Sequence, residues 1–222
     1  MLAQTDPFIR WDWIADHLDD MWQRTIEHSI LTFLAIGIGL VLAIGLSMLA
    51  LRYRRTYAPV TWVAGVLYTI PSIALFAFLV PFTGLSLVTA EIGLVSYTLL
   101  ILIRNIVAGI DGVPASVVES ALAMGYTRRR LFWKVQVPLA LPVILAGVRI
   151  AAVTIVGLVT VTTFVGQGGY GAIILQGLRR LFATEIIVGT VLAILFAAIL
   201  DMLLLLLQRR LAPWLRARER PT

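Results

Sequence analysis

Five stretches of this chain are apolar over the length that a helix needs to cross a bilayer, and this pattern limits what the chain can fold into. A crossing helix takes roughly 20 residues, because each residue adds about 1.5 Å along a hydrocarbon core of about 30 Å. Since 60% of the 222 residues are hydrophobic and 14% are charged, a soluble domain would expose too much apolar surface. We therefore predict an all-α, polytopic membrane protein with five transmembrane helices. They are residues 29–51, 58–81, 87–106, 141–164 and 185–207.

The basic residues indicate which ends of these helices face the cytoplasm. Twelve arginines and lysines follow the first span, lie between the third and fourth, or follow the fifth, whereas the opposite side has four arginines and seven acids. The positive-inside rule then places the N-terminus outside and the C-terminus in the cytoplasm. The predicted organisation is an extracytoplasmic segment (1–27), a transmembrane domain (28–211) and a cytoplasmic tail (212–222). The net charge of +6 is thus a topology signal and does not indicate nucleic-acid binding.

A charged insert at residues 113–138 separates the third and fourth predicted spans and has the signals of a helical hairpin. Ser116 and Glu119 fit the S-x-x-E capping box that marks a helix start, directly after Pro114. Gly125 can adopt the left-handed conformation that ends such a helix.

The second half of the insert predicts another short helix. Thr127 is placed to cap it, four basic residues follow, and Pro138 is expected to stop it. A helix–glycine–helix hairpin on the basic side of a membrane protein is suited to dock into another protein and transmit its movement.

The insert also resembles the EAA loop of the permeases of binding-protein-dependent ABC importers. The family pattern is Glu-Ala-Ala, three residues, Gly, nine residues and Ile-x-Leu-Pro, and here Ser120, Val135 and Val137 are mild departures from it. The resemblance extends over residues 22–211 and is closest to the permeases for osmoprotectants such as glycine betaine, choline and carnitine. The narrower match is carried by residues 69–75, 103–105, 138–149 and 163–169.

This resemblance implies a transport subunit in the bacterial cytoplasmic membrane that has no enzymatic activity or cofactor of its own. Its implied partners are a cytoplasmic ABC ATPase dimer that binds ATP and Mg²⁺, a second permease chain (identical or paralogous), an extracytoplasmic solute-binding protein and the lipid bilayer, with no nucleic acid. The ATPase contact is implied for the hairpin, at Glu119, Ser120, Ala121, Met124, Gly125, Arg128 and Pro138.

Two further segments are candidates for the transport pathway. Pro71 lies in the middle of the second predicted span, where it kinks the helix; the resemblance favours Pro71 and Ser72 as pathway residues over a simple packing kink. Gly166, Gly168 and Gly169 predict a tight turn entering a short helix, which is either an outer gate or a plain connection. Gly166, Gly168 and Gly171 fit G-x-G-x-x-G, but no alternating strand–helix units accompany them, which argues against a dinucleotide site.

Apart from Glu91 near an outer end, the charged side chains inside the predicted spans are Arg104, Arg149 and Asp201. Because an unpaired charge in hydrocarbon is costly, we predict that Asp201 pairs with Arg149 or Arg104. The two histidines, His17 and His28, lie in or beside the polar N-terminal segment and are predicted to be at the surface. A stripe of small residues on the first span (35, 39, 43 and 47) predicts close helix packing, within one subunit in preference to a dimer.

Three other functions have requirements that can be compared with this sequence. A permease for amino acids such as methionine shares part of the resemblance. An ion-coupled secondary transporter would need membrane-centre carboxylates and paired broken helices, and only Asp201 and Pro71 offer anything similar. A membrane-embedded hydrolase would need converging His, Asp or Ser groups, and the sequence contains no such cluster.

Overall fold

The computed structural model describes residues 9–212, and the regular structure in this part of the chain is helical throughout. This confirms the predicted all-α class. Two 3₁₀ helices (Arg54–Thr56 and Thr160–Val165) and a π-helix (Phe132–Gln136) join α-helices. The α-helices are α1 (Trp11–Asp16), α2 (Leu18–Arg52), α3 (Tyr57–Thr69), α4 (Ser72–Thr83), α5 (Leu87–Asp111), α6 (Ala115–Ala123), α7 (Arg128–Leu131), α8 (Val137–Val159), α9 (Tyr170–Arg180) and α10 (Ala183–Leu211).

Within residues 9–212, four helical segments are long and apolar enough to cross a bilayer, and a bent pair brings the number to five if it counts as one span. The continuous segments are Leu18–Arg52, Leu87–Asp111, Arg128–Val165 and Ala183–Leu211.

The second predicted span is broken where a kink was expected. Helices α3 and α4 are bent by 98° at the break between them. Pro71 occupies the N-cap position of α4 with φ −56° and ψ 132°. Proline has no N–H to donate and disfavours a helical residue before it, so the backbone leaves the helix at this point. Ser72 is then the first residue of α4 and not the middle of a helix.

The helix that contains the first predicted span begins earlier than the apolar pattern indicated. Helix α2 starts at Leu18, with Asp19 and Asp20 in its first turn, where carboxylates interact favourably with the helix dipole. The predicted boundary between 27 and 28 therefore falls inside a helix. Residues 1–8 and 213–222, which include nearly all of the predicted tail, lie outside the described residues.

Pro138 does not stop the helix that precedes it, which corrects the sequence prediction. The chain continues from α7 through the π-helix into α8, with Pro138 as the second residue of α8. In an α-helix, the proline ring would clash with the carbonyl of Lys134. The π-helix widens the turn before it, and the N–H of Val137 donates to the carbonyl of Phe132, five residues back.

The chain forms two compact units, each built from three separate stretches. Unit 1 contains Met1–Ala35, Ile70–Val95 and Thr154–Ile199, and unit 2 contains Ile36–Thr69, Ser96–Val153 and Leu200–Thr222. In unit 1, a small core forms around Met21, Ile173 and Val188. Phe76 is also buried there, against Gly93, where a Cβ would collide with the ring.

Unit 2 is held together by close approach of helices. At Gly39 on α2, a Cβ would collide with the side chain of Thr98 on α5. Ala43 and Ser47, further along the same stripe, are fully buried, as is Ala35 in unit 1. The small-residue stripe thus packs within this chain, as predicted. The buried core of unit 2 consists of Ala43, Ala50, Ala64, Leu102, Ile103, Ile106, Val107, Val148 and Ala151.

Candidate functional site

The first helix of the insert, α6, is capped by its backbone and not by the predicted capping box. Its N-cap is Pro114 (φ −55°, ψ 134°), with no side-chain cap hydrogen bond. Ser116 is already inside the helix, where its carbonyl accepts a hydrogen bond from the Ser120 hydroxyl at 2.7 Å. Because proline fixes an extended N-cap two residues before Ser116, Glu119 is left exposed with no capping role.

The turn at Gly125 has the predicted left-handed geometry, with φ +83°. The N–H of Tyr126 donates to the carbonyl of Ala121 at 3.1 Å, and the N–H of Gly125 donates to that of Leu122 at 2.9 Å. This pair of hydrogen bonds is a Schellman motif, which satisfies the last carbonyls of α6 and fixes the direction of the chain after it.

The second helix of the hairpin, α7, starts as predicted. The hydroxyl of Thr127 accepts a hydrogen bond from the N–H of Arg130 at 3.3 Å, and the Arg130 guanidinium lies 4.5 Å from the centre of the Tyr126 ring. Ala121 on α6 and Leu131 on α7 are both buried. The hairpin is therefore a packed unit and not a flexible loop.

The outer surface of the hairpin carries several of the predicted contact residues. Met124 is 71% exposed at its tip, and Leu122 is also exposed. The resemblance also implied Ala121 for this contact; its side chain is only 2% exposed and is covered by other residues of this chain. The remaining exposed positions are Glu119, Ser120, Gly125 and Arg128, whereas Pro138 is half-buried.

The two helices that lead into and out of the hairpin pack closely in unit 2. A Cβ on Gly109 of α5 would lie 3.1 Å from the carbonyl oxygen of Ala140 on α8. A Cβ on Gly147 of α8 would collide with the side chain of Asn105 on α5. The base of the hairpin is thereby held by close approach of α5 and α8 at two glycines, of which Gly147 lies inside a predicted span and Gly109 lies just beyond one.

An ion pair that the sequence analysis missed lies at the end of α5. Arg54 donates from both terminal nitrogens to Asp111, at 2.7 Å and 2.6 Å. This contact raises the pKa of the Arg54 guanidinium. Arg54 was used only as a topology signal, and no sequence pattern connects two positions 57 residues apart.

The glycine turn leads into the short helix α9, as predicted, and is held by α2. Gly166 and Gly169 both have positive φ (80° and 72°). The carboxylate of Glu27 accepts a hydrogen bond from the N–H of Gly169 at 2.9 Å, and Nδ1 of His28 accepts one from the N–H of Tyr170 at 3.4 Å. Two side chains of α2 therefore cap the N-terminus of α9.

His28 is fully buried, which corrects the prediction that it lies at the surface. Its ring stacks on Tyr170, with 4.4 Å between ring centres, and meets Phe196 edge-on at 5.3 Å. The acidic residues nearby predicted a solvated segment. Instead, these residues and His28 belong to the continuous helix α2, and His28 lies on its buried side.

The remaining pathway candidates also lie in unit 1. Helix α4, which begins at Ser72, packs against the 3₁₀ helix Thr160–Val165 that precedes the glycine turn. At Gly168, a Cβ would collide with the Glu27 carboxylate. The predicted pathway residues thus belong to elements that are in contact.

Asp201 is paired with Arg149 in unit 2. Two hydrogen bonds of 2.8 Å join the guanidinium to the two carboxylate oxygens. Gln208, which the sequence analysis did not single out, donates to the carbonyl of Pro142 at 3.1 Å. Arg104 is exposed and forms no ion pair with any described residue.

Comparison with known proteins identifies the chain. Residues 30–217 match the family "Binding-protein-dependent transport system inner membrane component". The chain belongs to this family. It is a permease subunit of an ABC importer.

Its relatives include permeases named for the transport of choline and of osmoprotectants. The choline transport system permease protein OpuBB of Bacillus subtilis is 31% identical over 194 residues, which cover 87% of this chain and 89% of that protein. The osmoprotectant import permease protein OsmW of Salmonella typhimurium is 33% identical over 207 residues, covering 90% and 96%.

Among solved structures, a chain of the inward-facing MetNI methionine ABC transporter superposes on this permease with a TM-score of 0.74. The two are 24% identical, and the match covers 86% of this chain and 96% of that chain. At this level of identity, the likeness shows the fold.

Proposed function

We propose that this permease imports quaternary-ammonium osmoprotectants such as glycine betaine, choline and carnitine. The observation that supports this most directly is the match to permeases named for choline and osmoprotectant transport over 87% and 90% of the chain. A quaternary ammonium is recognised by the faces of aromatic rings and does not need a metal ion. In this proposal, the external binding protein supplies those rings and most of the substrate selectivity.

We further propose the assembly in which the permease acts. Two permease chains, identical or paralogous, form the pathway, and an extracytoplasmic binding protein delivers the solute. A cytoplasmic ATPase dimer binds ATP and Mg²⁺ and receives the hairpins, so the permease itself performs no bond chemistry. The basic cluster Arg128–Arg130 supports a cytoplasmic hairpin and an N-terminus outside, by the positive-inside rule.

The structure of the hairpin supports its role as the ATPase contact. Its tip presents Leu122 and Met124 to solvent beside Glu119, and exposed apolar side chains rimmed by polar ones are typical of protein-binding surfaces. Because Ala121 and Leu131 pack its two helices together, the hairpin can move as a rigid body when the ATPase dimer closes. The spans then alternate between outward-facing and inward-facing states.

Reconstitution in liposomes tests the transport function. The permease, reconstituted with its ABC ATPase and solute-binding protein, should take up labelled glycine betaine, choline or carnitine only when ATP is supplied on the ATPase side. Uptake of methionine alone would reassign the substrate to amino acids. Uptake that needs an ion gradient and no ATP would instead indicate a secondary transporter.

Variants of the hairpin test the docking. Met124→Asp places a charge on the exposed tip and should abolish co-purification of the ATPase. Leu181→Asp, at a 90% exposed position in unit 1, is the matched control and should retain it. Gly125→Pro should also abolish transport, because proline cannot adopt φ +83° and loses the N–H that donates to Leu122. Normal ATPase binding by Met124→Asp would contradict the proposed docking.

A further inference from the structure

The ion pair between Arg54 and Asp111 has bidentate geometry. Both terminal nitrogens of the guanidinium meet both carboxylate oxygens, at 2.7 Å and 2.6 Å. A two-point contact of this kind fixes the relative orientation of its partners as well as their distance.

Each member of the pair lies at the end of an element whose position matters for transport. Asp111 is the last residue of α5, and only residues 112–114 separate it from the hairpin helix α6. This link is short and constrained, because Val113 is buried and Pro114 has a fixed φ. Arg54 begins the 3₁₀ turn that runs directly into α3, the first helix of the bent pair.

Folding stability alone is a weak explanation for this contact. The side chains are 59% and 42% exposed, and solvent-exposed ion pairs contribute little to folding free energy. Unit 2 is already held at this end by the packing of α5 on α8 at Gly109. What the pair adds is a direct link between the base of the hairpin and the start of α3, two segments that are far apart in sequence.

We propose that the Arg54–Asp111 pair is a positioning contact that transmits movement of the hairpin to α3, and this rests on the proposed docking of the hairpin to the ATPase. Movement imposed on α6 reaches Asp111 through residues 112–114, and Arg54 passes it to the first helix of the bent pair. Without the pair, the ATPase still binds and hydrolyses ATP, but α3 follows the hairpin less closely.

The test measures coupling separately from binding and stability. The complete transporter is reconstituted with wild-type, Arg54→Gln, Asp111→Asn or the swapped Arg54→Asp/Asp111→Arg permease, and solute uptake and ATP hydrolysis are measured in the same vesicles. Arg55→Gln is the matched control, since Arg55 is the adjacent exposed arginine and forms no ion pair with any described residue.

Each single variant should lower the number of solute molecules taken up per ATP by about 3-fold or more, within the range for residues that carry coupling. The swapped pair should recover most of this loss, and Arg55→Gln should match wild type. ATPase co-purification should be unchanged, and the melting temperature should stay within about 4 °C of wild type.

Unchanged uptake per ATP in both single variants would overturn the proposal, as would a swapped pair no better than the singles. A wild-type complex with no ATP-dependent uptake would instead refute the proposed function, so the two failures are distinguishable.

Discussion

The carboxylate of Glu27 and the backbone N–H of Gly169 are joined by a 2.9 Å hydrogen bond between positions 142 residues apart. The same carboxylate also accepts a hydrogen bond from Arg24 at 3.1 Å, so a polar cluster on α2 holds the turn that leads into α9. If the turn is only a connection, transport does not depend on this hydrogen bond. If the turn is a gate, the hydrogen bond must hold it in one state and break in the other.

Glu27→Ala should loosen this turn. Loss of one charge-assisted hydrogen bond by a side chain that is 44% exposed corresponds to about 1 kcal/mol, or roughly 5-fold faster amide exchange at Gly169 and Tyr170. Exchange is measured by mass spectrometry. Asp20→Ala is the control, because Asp20 also contacts Arg24 but not the turn. If Glu27→Ala changes exchange but leaves uptake unchanged, the turn is a connection and not a gate.

Gly171→Ala should destabilise the protein more than Gly168→Ala does. At Gly171 a Cβ would collide with the backbone carbonyl of Thr160, which cannot move independently, whereas at Gly168 it would meet the rotatable side chain of Glu27. Overpacking against fixed atoms costs about 1–3 kcal/mol. Gly45→Ala is the control, since nothing lies within 4 Å of its Cβ position. The stabilities of the three variants are compared by thermal unfolding in detergent. Equal losses of stability in Gly45→Ala and Gly171→Ala would contradict the prediction.

Asp201→Asn should lower thermal stability by about 1–3 kcal/mol, between the values for exposed and buried pairs, because it leaves the Arg149 guanidinium without its carboxylate. Arg149→Gln in the same chain should restore part of this loss. Arg104→Gln should have little effect, since Arg104 is exposed and unpaired among the described residues. A double variant whose two losses simply add would show that the side chains do not interact energetically.

The orientation in the membrane can be read with single cysteines, because the chain contains none. Leu181→Cys, 90% exposed, should react with an impermeant maleimide in intact spheroplasts, whereas Met124→Cys, 71% exposed, should react only after permeabilisation. Cysteines at Ala3 and Thr222, outside the described residues, should behave like Leu181→Cys and Met124→Cys respectively. The reverse pattern would overturn the predicted topology and the docking of the hairpin.

Local signals predicted local structure well. Gly125 ends α6 in the left-handed conformation, and Thr127 caps α7, because each outcome depends on residues within one helical turn. The pairing of Asp201 with one of two arginines followed from the cost of burying charge, but the choice of Arg149 depended on helix packing that sequence spacing does not specify.

The errors have a common cause, which is that neighbouring elements changed the outcome of a local rule. The local rule predicts that Pro138 stops a helix, but the π-helix before it lets the helix continue. The local rule also predicts Ser116 as the N-cap of α6, but Pro114 occupies that position. The polar sequence around His28 predicts a surface position, but Tyr170 and Phe196 pack against its ring and bury it. The contacts of Arg54 and Glu27 join distant segments, and a single sequence contains no signal for them.

The π-helix at Phe132–Gln136 has a consequence for how this permease can diverge. A π turn takes up one residue more than an α turn, and one residue rotates everything beyond it by about 100° around the helix axis. The angular phase between the hairpin and α8 is therefore set by the length of this one segment and not by the residues on either side. Deletion of one residue from this segment would turn α8 by about 100° relative to the hairpin, although every side chain on both elements stayed the same.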